Sequence, residues 1–162
     1  MKKPVVLVLL VVAVVVAGWR WQRGGEPDAQ AASLFADRIW IDHIPRNDRD
    51  TFQAFVAVTE HATGGFQAAS AWRGSHELFR YEANGGELRV IYPQTGERET
   101  VHAKARRCNE KEMDFCLDLE GATRGVKRYY SRKGWEIDGG RSAAAALQQV
   151  DALHAKLTAA AH

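Results

Sequence analysis

The sequence predicts a mainly β protein: an eight-stranded antiparallel up-and-down barrel with a C-terminal α-helix and an N-terminal membrane segment. Three observations carry this. Apolar and polar residues alternate with period two in eight short runs between residues 38 and 137. Turn-forming residues separate the runs, with no helical crossover among them. An alanine-rich stretch with helical spacing follows, over residues 142–161. Consecutive antiparallel strands with short connections close most simply into a barrel. A sandwich normally needs longer Greek-key connections.

Residues 1–23 read as a membrane address, a signal peptide or an anchor. Lys2 and Lys3 form a basic start, and Pro4 to Gly18 holds no charge. As a helix those fifteen residues span about 22 Å, short of a hydrocarbon core of about 30 Å. Trp19 and Trp21 extend the segment into the interfacial zone, so that residues 4–21 meet the membrane, and Arg20 and Arg23 snorkel beyond. Val15-Val16-Ala17 offers a small-residue cleavage site, whereas the bulky Trp-Arg-Trp-Gln-Arg flank favours an uncleaved anchor with its amino end in the cytoplasm. Either way the rest of the chain is exported. The expected location is the bacterial cytoplasmic membrane with the domain in the periplasm, or secretion if the segment is cleaved. With no Cys near the segment, a bacterial lipoprotein is disfavoured.

Residues 24–33 are small and polar and read as a linker. Residues 34–162 form the domain. Ser33 to Ala36 suggests a short turn that plugs one end of it. Strands are expected over 38–44, 51–60, 66–73, 76–83, 87–92, 99–107, 115–120 and 126–137, with a bulge at Gly134. Thr63-Gly64-Gly65, Gly74-Ser75, Asn84-Gly85-Gly86, Pro93 to Gly96 and Asn109 to Asp114 mark the intervening turns and loops. Ser142 is a candidate N-cap of the helix. Leu147, Val150, His154 and Leu157 make one stripe against the sheet.

The two cysteines, Cys108 and Cys116, flank the sixth turn. Both continue the polar face of their strands, so a disulfide across the base of a hairpin has suitable separation. A four-ligand zinc pattern and a CxxC motif are both missing from the sequence.

Charge narrows the functional classes. The formal net charge is +2, but Lys2, Lys3, Arg20 and Arg23 precede the first acid, leaving 18 basic and 20 acidic residues beyond them. A near-neutral domain disfavours nucleic acid. Neither HExxH nor Gly-x-Ser-x-Gly occurs, since position 80 is Arg after His76-Glu77, and no phosphate loop precedes a helix. No cofactor, metal or enzymatic activity is expected. Residues 124–135 hold five basic residues and three aromatics. Lys127 and Lys133 make this an anion or headgroup patch, unless its charges pair with Asp118 and Glu120 on a neighbouring strand.

The layout resembles the lipocalin-like, or calycin, architecture over residues 34–158: an N-terminal turn, Ile39-Trp40 on the first strand, an eight-stranded meander and a helix after it. It is also similar to exported bacterial proteins with no assigned activity. The Gly-x-Trp start of true lipocalins is replaced by Asp37-Arg38-Ile39-Trp40. The resemblance implies an Arg late in the barrel packed on that Trp, a part for Arg128 or Arg132. It also implies a small apolar or amphipathic ligand inside. The expected inward face carries Phe52, Ala54, Val56, Ala68, Ser70, Trp72, Val90, Tyr92 and Ala103 as cavity candidates, beside Phe66, Leu88, Val101 and Ala105. An eight-stranded barrel is wide enough either to be filled by side chains or to hold one small ligand. The alternative is a tethered module that holds a protein or envelope partner on its outer face. Fractionation with protease access tests the export common to both. Residues 24–162 are expected on the outer side of the membrane, and a fully soluble cytoplasmic protein overturns this.

Overall fold

The computed structural model describes residues 34–70 and 74–160. The expected membrane segment, the linker and Trp72 lie outside the described residues. No described helix is long and apolar enough to cross a membrane. Eight antiparallel strands close into a barrel in sequence order, compatible with a lipocalin-like fold. They are β1 (Arg38–Ile41), β2 (Phe52–Val58), β3 (Thr63–Ala69), β4 (Gly74–Asn84), β5 (Glu87–Ile91), β6 (Arg98–Glu110), β7 (Met113–Glu120) and β8 (Arg128–Ser131). The ring closes where Ile41 of β1 meets Tyr130 of β8. Among the described residues one long helix, α1 (Ala143–Ala160), packs on the outside of β2 and β3.

The interior is filled by rings. Phe35, Trp40, Phe55, Phe66, Phe79, Tyr81, Tyr92, Phe115 and Tyr129 belong to one buried cluster with Ala57, Leu88, Val90, Val101, Ala103, Ala105, Leu117 and Leu119. Phe55 lies at its centre, with ring centroids 5.2 Å from Phe66 and 5.9 Å from both Phe79 and Tyr129. Those spacings fall within the range of favourable aromatic pairs. At the end where the chain enters, the indole N–H of Trp40 donates to the Phe35 carbonyl at 2.7 Å. Phe35 in turn sets its ring against Tyr81. The N-terminal turn does plug this end.

Phe52, Ala54 and Val56 are not inward. They join Ile39, Ile41, Val58, Ala69, Met113, Cys116 and Tyr130 in a second core between the sheet and α1. The reason is that β2 is covered on both faces, so both phases of its alternation are apolar. Phe55 and Ala57 are the inward pair. The helix contributes Ala146, Leu147 and Val150 to this layer. His154 is also buried and stacks on Phe52 at 4.8 Å. Ser142 caps α1, its hydroxyl accepting from the Ala145 N–H at 3.2 Å.

Other corrections are local. Thr63-Gly64-Gly65 is strand, and the turn lies before it at 59–62, with Ala62 at φ 45°. A Cβ on Gly64 would stand 2.3 Å from the tip of the Phe79 ring and 2.5 Å from the Val56 carbonyl oxygen. Gly64 is therefore a close-approach residue, not a turn residue. The expected loop over 109–114 shrinks to a two-residue turn, Lys111-Glu112, because β6 and β7 extend further. The eighth strand ends at Ser131, and Gly134, with φ 84°, belongs to a turn closed by the Trp135 N–H on the Arg132 carbonyl rather than to a bulge. Arg128 and Arg132 are engaged elsewhere than at Trp40, with Asp118 and Glu112 respectively. The buried arginine is Arg38 on β1 itself, which lies 3.9 Å over the Phe115 ring and bonds Glu136 at 2.7 Å.

Cys108 and Cys116 form a disulfide with a Cα separation of 5.7 Å. It braces β6 to β7 where their register shifts between Arg107 and Glu110. Cys116 points to the outer side as expected, but there it is fully buried beneath the second core. Closing so short a loop removes about 2–3 kcal/mol of unfolded-state entropy on the chain-entropy model. Cys108→Ser/Cys116→Ser is expected to lower the unfolding free energy by about that amount in urea titration, and reduction of the native protein by a similar amount.

Candidate functional site

Of the expected cavity residues, Val90, Tyr92 and Ala103 do face the barrel interior, where they are packed among the rings. Ala68 shares the inward parity of Phe66 but stands half-buried at the barrel end opposite the Phe35 plug. Ser70 follows at the same end, just past β3. The structure thus separates the eight described candidates into a filled interior, a barrel mouth and the helix-facing layer that holds Phe52, Ala54 and Val56.

The mouth is formed by the connections 42–51, 92–97 and 121–127. A polar group spans it. Arg124 lays its guanidinium 4.0 Å over the Tyr92 ring, bonds Glu77 at 3.2 Å and pairs with Glu97. The Tyr92 hydroxyl donates to Glu99, whose other oxygen accepts from the Thr123 N–H at 2.9 Å and the Thr123 hydroxyl at 2.7 Å. Burial, then the hydrogen bond to Glu99, pushes the Tyr92 hydroxyl well above its ordinary pKa. At the other end burial and the negative charge of Asp37 push Tyr81 up to about 12. Both tyrosines therefore stay neutral donors at physiological pH. Gly125 is required beside Arg124: its φ is 68°, and a Cβ there would stand 2.0 Å from the Tyr129 hydroxyl. A concavity of about 400 Å³ opens next to this group, lined in part by Phe66, Ala68, His76, Gln94 and Arg124.

The outer face of β6, β7 and β8 is charge-paired. Lys104 reaches Glu120 at 2.9 Å, Arg106 reaches Glu110 at 3.0 Å, and Arg128 reaches Asp118 at 2.6 Å. Lys133 is 4.0 Å from Asp114. Of the two residues expected to make a basic patch, Lys127 and Lys133, only Lys127 is without an acidic partner among the described residues.

The outer face of β4, β5 and β6 is different. Arg80, Ile91 and Arg98 lie directly opposite one another across three strands, and Glu82, Arg89 and Thr100 form the next row. Arg89 contacts Glu87 at 3.4 Å. Arg80 and Arg98 are exposed and have no ion pair or side-chain hydrogen bond among the described residues. Together with His61 these side chains line a concavity of about 760 Å³. The sequence reasoning missed this face because its arginines are scattered over three strands, at 80, 89 and 98. The signal was present as their outward parity, but only the pairing register brings them together.

Among the described residues one group of metal-ligand types converges, Cys108, Glu110 and Cys116. Its sulfurs are joined to each other, which leaves a single carboxylate donor. His43 sits between Asp42, at 2.9 Å, and Asp50, at 3.3 Å, in the loop after β1. No catalytic nucleophile with an adjacent base appears in these arrangements. Comparison with family models, curated proteins and solved structures finds no match.

The mouth group carries a pH dependence. The hydrogen bond from Arg124, and then that from Thr95, holds the Glu97 carboxyl below its usual 4.5. A carboxylate lowered in the folded state stabilises fully above its unfolded value and loses that stabilisation as pH falls through the folded one. Arg124→Ala is therefore expected to lower Tm by a few degrees at neutral pH, with the gap to the native protein narrowing as pH drops below about 4.5. Calorimetry across pH checks this, and a gap independent of pH refutes it.

Proposed function

We propose that this chain is a membrane-tethered, lipocalin-like module of the cell envelope that engages a partner on the outside of its barrel and performs no catalysis. One observation carries the reading: nine aromatic side chains fill the interior where a ligand would sit. A barrel of eight strands has room for its own side chains or for one small ligand, not both. With the interior occupied, binding falls to the outer surface. The basic start, apolar run and Trp-rich flank of residues 1–23 support the tether. A disulfide that bridges two strands supports an oxidising compartment.

A second reading keeps a small amphipathic ligand, moved from the interior to the mouth. The half-buried Ala68, the Phe66 ring and the Arg124 guanidinium beside one concavity favour it. Native mass spectrometry of protein purified from its own host membranes separates the two. An empty barrel is expected. A co-purifying lipid that disappears in Ala68→Phe establishes the mouth ligand instead. Ala103→Phe is no substitute for that probe, because Ala103 is fully enclosed and a larger side chain there overpacks the core, at about 1–3 kcal/mol or more.

A further inference from the structure

We infer that the outer face of β4, β5 and β6 is the docking surface, and that its occupant is an acidic, extended polypeptide segment. This rests on the interaction-module reading above and names the partner's chemistry. Charge distribution is the first support. On the outer face of β6 to β8, Lys104 and Arg128 are each met by an acid on the neighbouring strand and Arg106 by Glu110 of its own strand, so these three side chains add little net field. Arg80 and Arg98 carry full charges with no partner among the described residues, and Arg89 adds a third, set against Glu82 and Glu87. Unpaired guanidiniums in planar-fork geometry suit carboxylates.

Shape is the second support. Arg80 and Arg98 flank the half-buried Ile91, one on each side. Two strand spacings separate them by about 10 Å. In a polyproline-II segment, side chains three residues apart recur on one side at about 9 Å. Carboxylates at that spacing meet both arginines, one on each side of Ile91. The face is concave, and its lining brings Arg80, Arg89 and Arg98 together with Ile91. A planar bilayer surface is met best by protruding cations, so the concavity favours a chain that lies in it.

Binding of a fluorescein-labelled peptide of the repeat Glu-Leu-Pro to the full-length protein in detergent, followed by anisotropy, tests this. The peptide is expected to bind, with affinity that falls as salt rises. Arg80→Gln/Arg98→Gln is expected to weaken binding about tenfold or more, with unchanged circular dichroism and Tm, since both side chains are exposed. Lys127→Gln leaves binding unchanged, and a Gln-Leu-Pro peptide does not bind. A Glu-Leu-Pro peptide that does not bind, or binds the double variant equally well, overturns the inference. So does capture of phosphatidylglycerol vesicles through the same arginines without peptide binding, which marks a lipid surface instead. These outcomes are independent of the native mass spectrum, where a ligand-filled barrel defeats the module reading itself.

Discussion

The contact of Phe55 with Phe66, Phe79 and Tyr129 is the constraint on which the barrel depends. Each ring comes from a different strand, β2, β3, β4 and β8, so the cluster ties opposite sides of the closed sheet across its centre. Burying an aromatic side chain contributes on the order of several kcal/mol, and pair geometry adds to it. The cluster also dictates sequence elsewhere. Gly64 has no side chain because the Phe79 ring occupies that space, and Gly125 because the Tyr129 hydroxyl does. A barrel organised in this way gains stiffness and gives up its cavity.

The helix supplies a second core rather than a lid. By covering β2 and β3 it converts one exposed sheet face into an interior, and Phe52, Ala54, Val56 and Val58 are apolar for that reason. The layer is not wholly dry in chemical terms. The Gln67 amide donates to Asp151 at 2.5 Å, and the Nε2 atom of His154 and the hydroxyl of Thr63 are buried without a partner among the described residues. Such atoms cost stability.

Electrostatics then divides the remaining surface. On the outer face of β6 to β8, Lys104, Arg106 and Arg128 are each paired with an acid, contacts that contribute little individually but reduce the local field. The mouth keeps its charges internal, with Arg124 held between two carboxylates above Tyr92. On β4 to β6, Arg80, Arg89 and Arg98 gather with one ion pair among them, that of Arg89 with Glu87, among the described residues.

Much of the fold was legible in the chain itself. Eight runs of period-two alternation, short turns between them, the Ser142 cap and the 3.6-residue stripe through Leu147, Val150 and His154 determine a meander followed by a helix, because these are local patterns set by backbone geometry. The cysteine pair was legible for the same reason, since strand parity placed both sulfurs on one side. What only the tertiary structure decided is which face is inside and which residues meet across strands. The alternation in β2 is apolar in both phases, so its direction depended on the helix that covers it. Gly64 reads as a turn until the Phe79 ring is seen above it. Arg80, Ile91 and Arg98 are remote in sequence, and their row exists only through the register of three strands, a long-range property that no local pattern encodes.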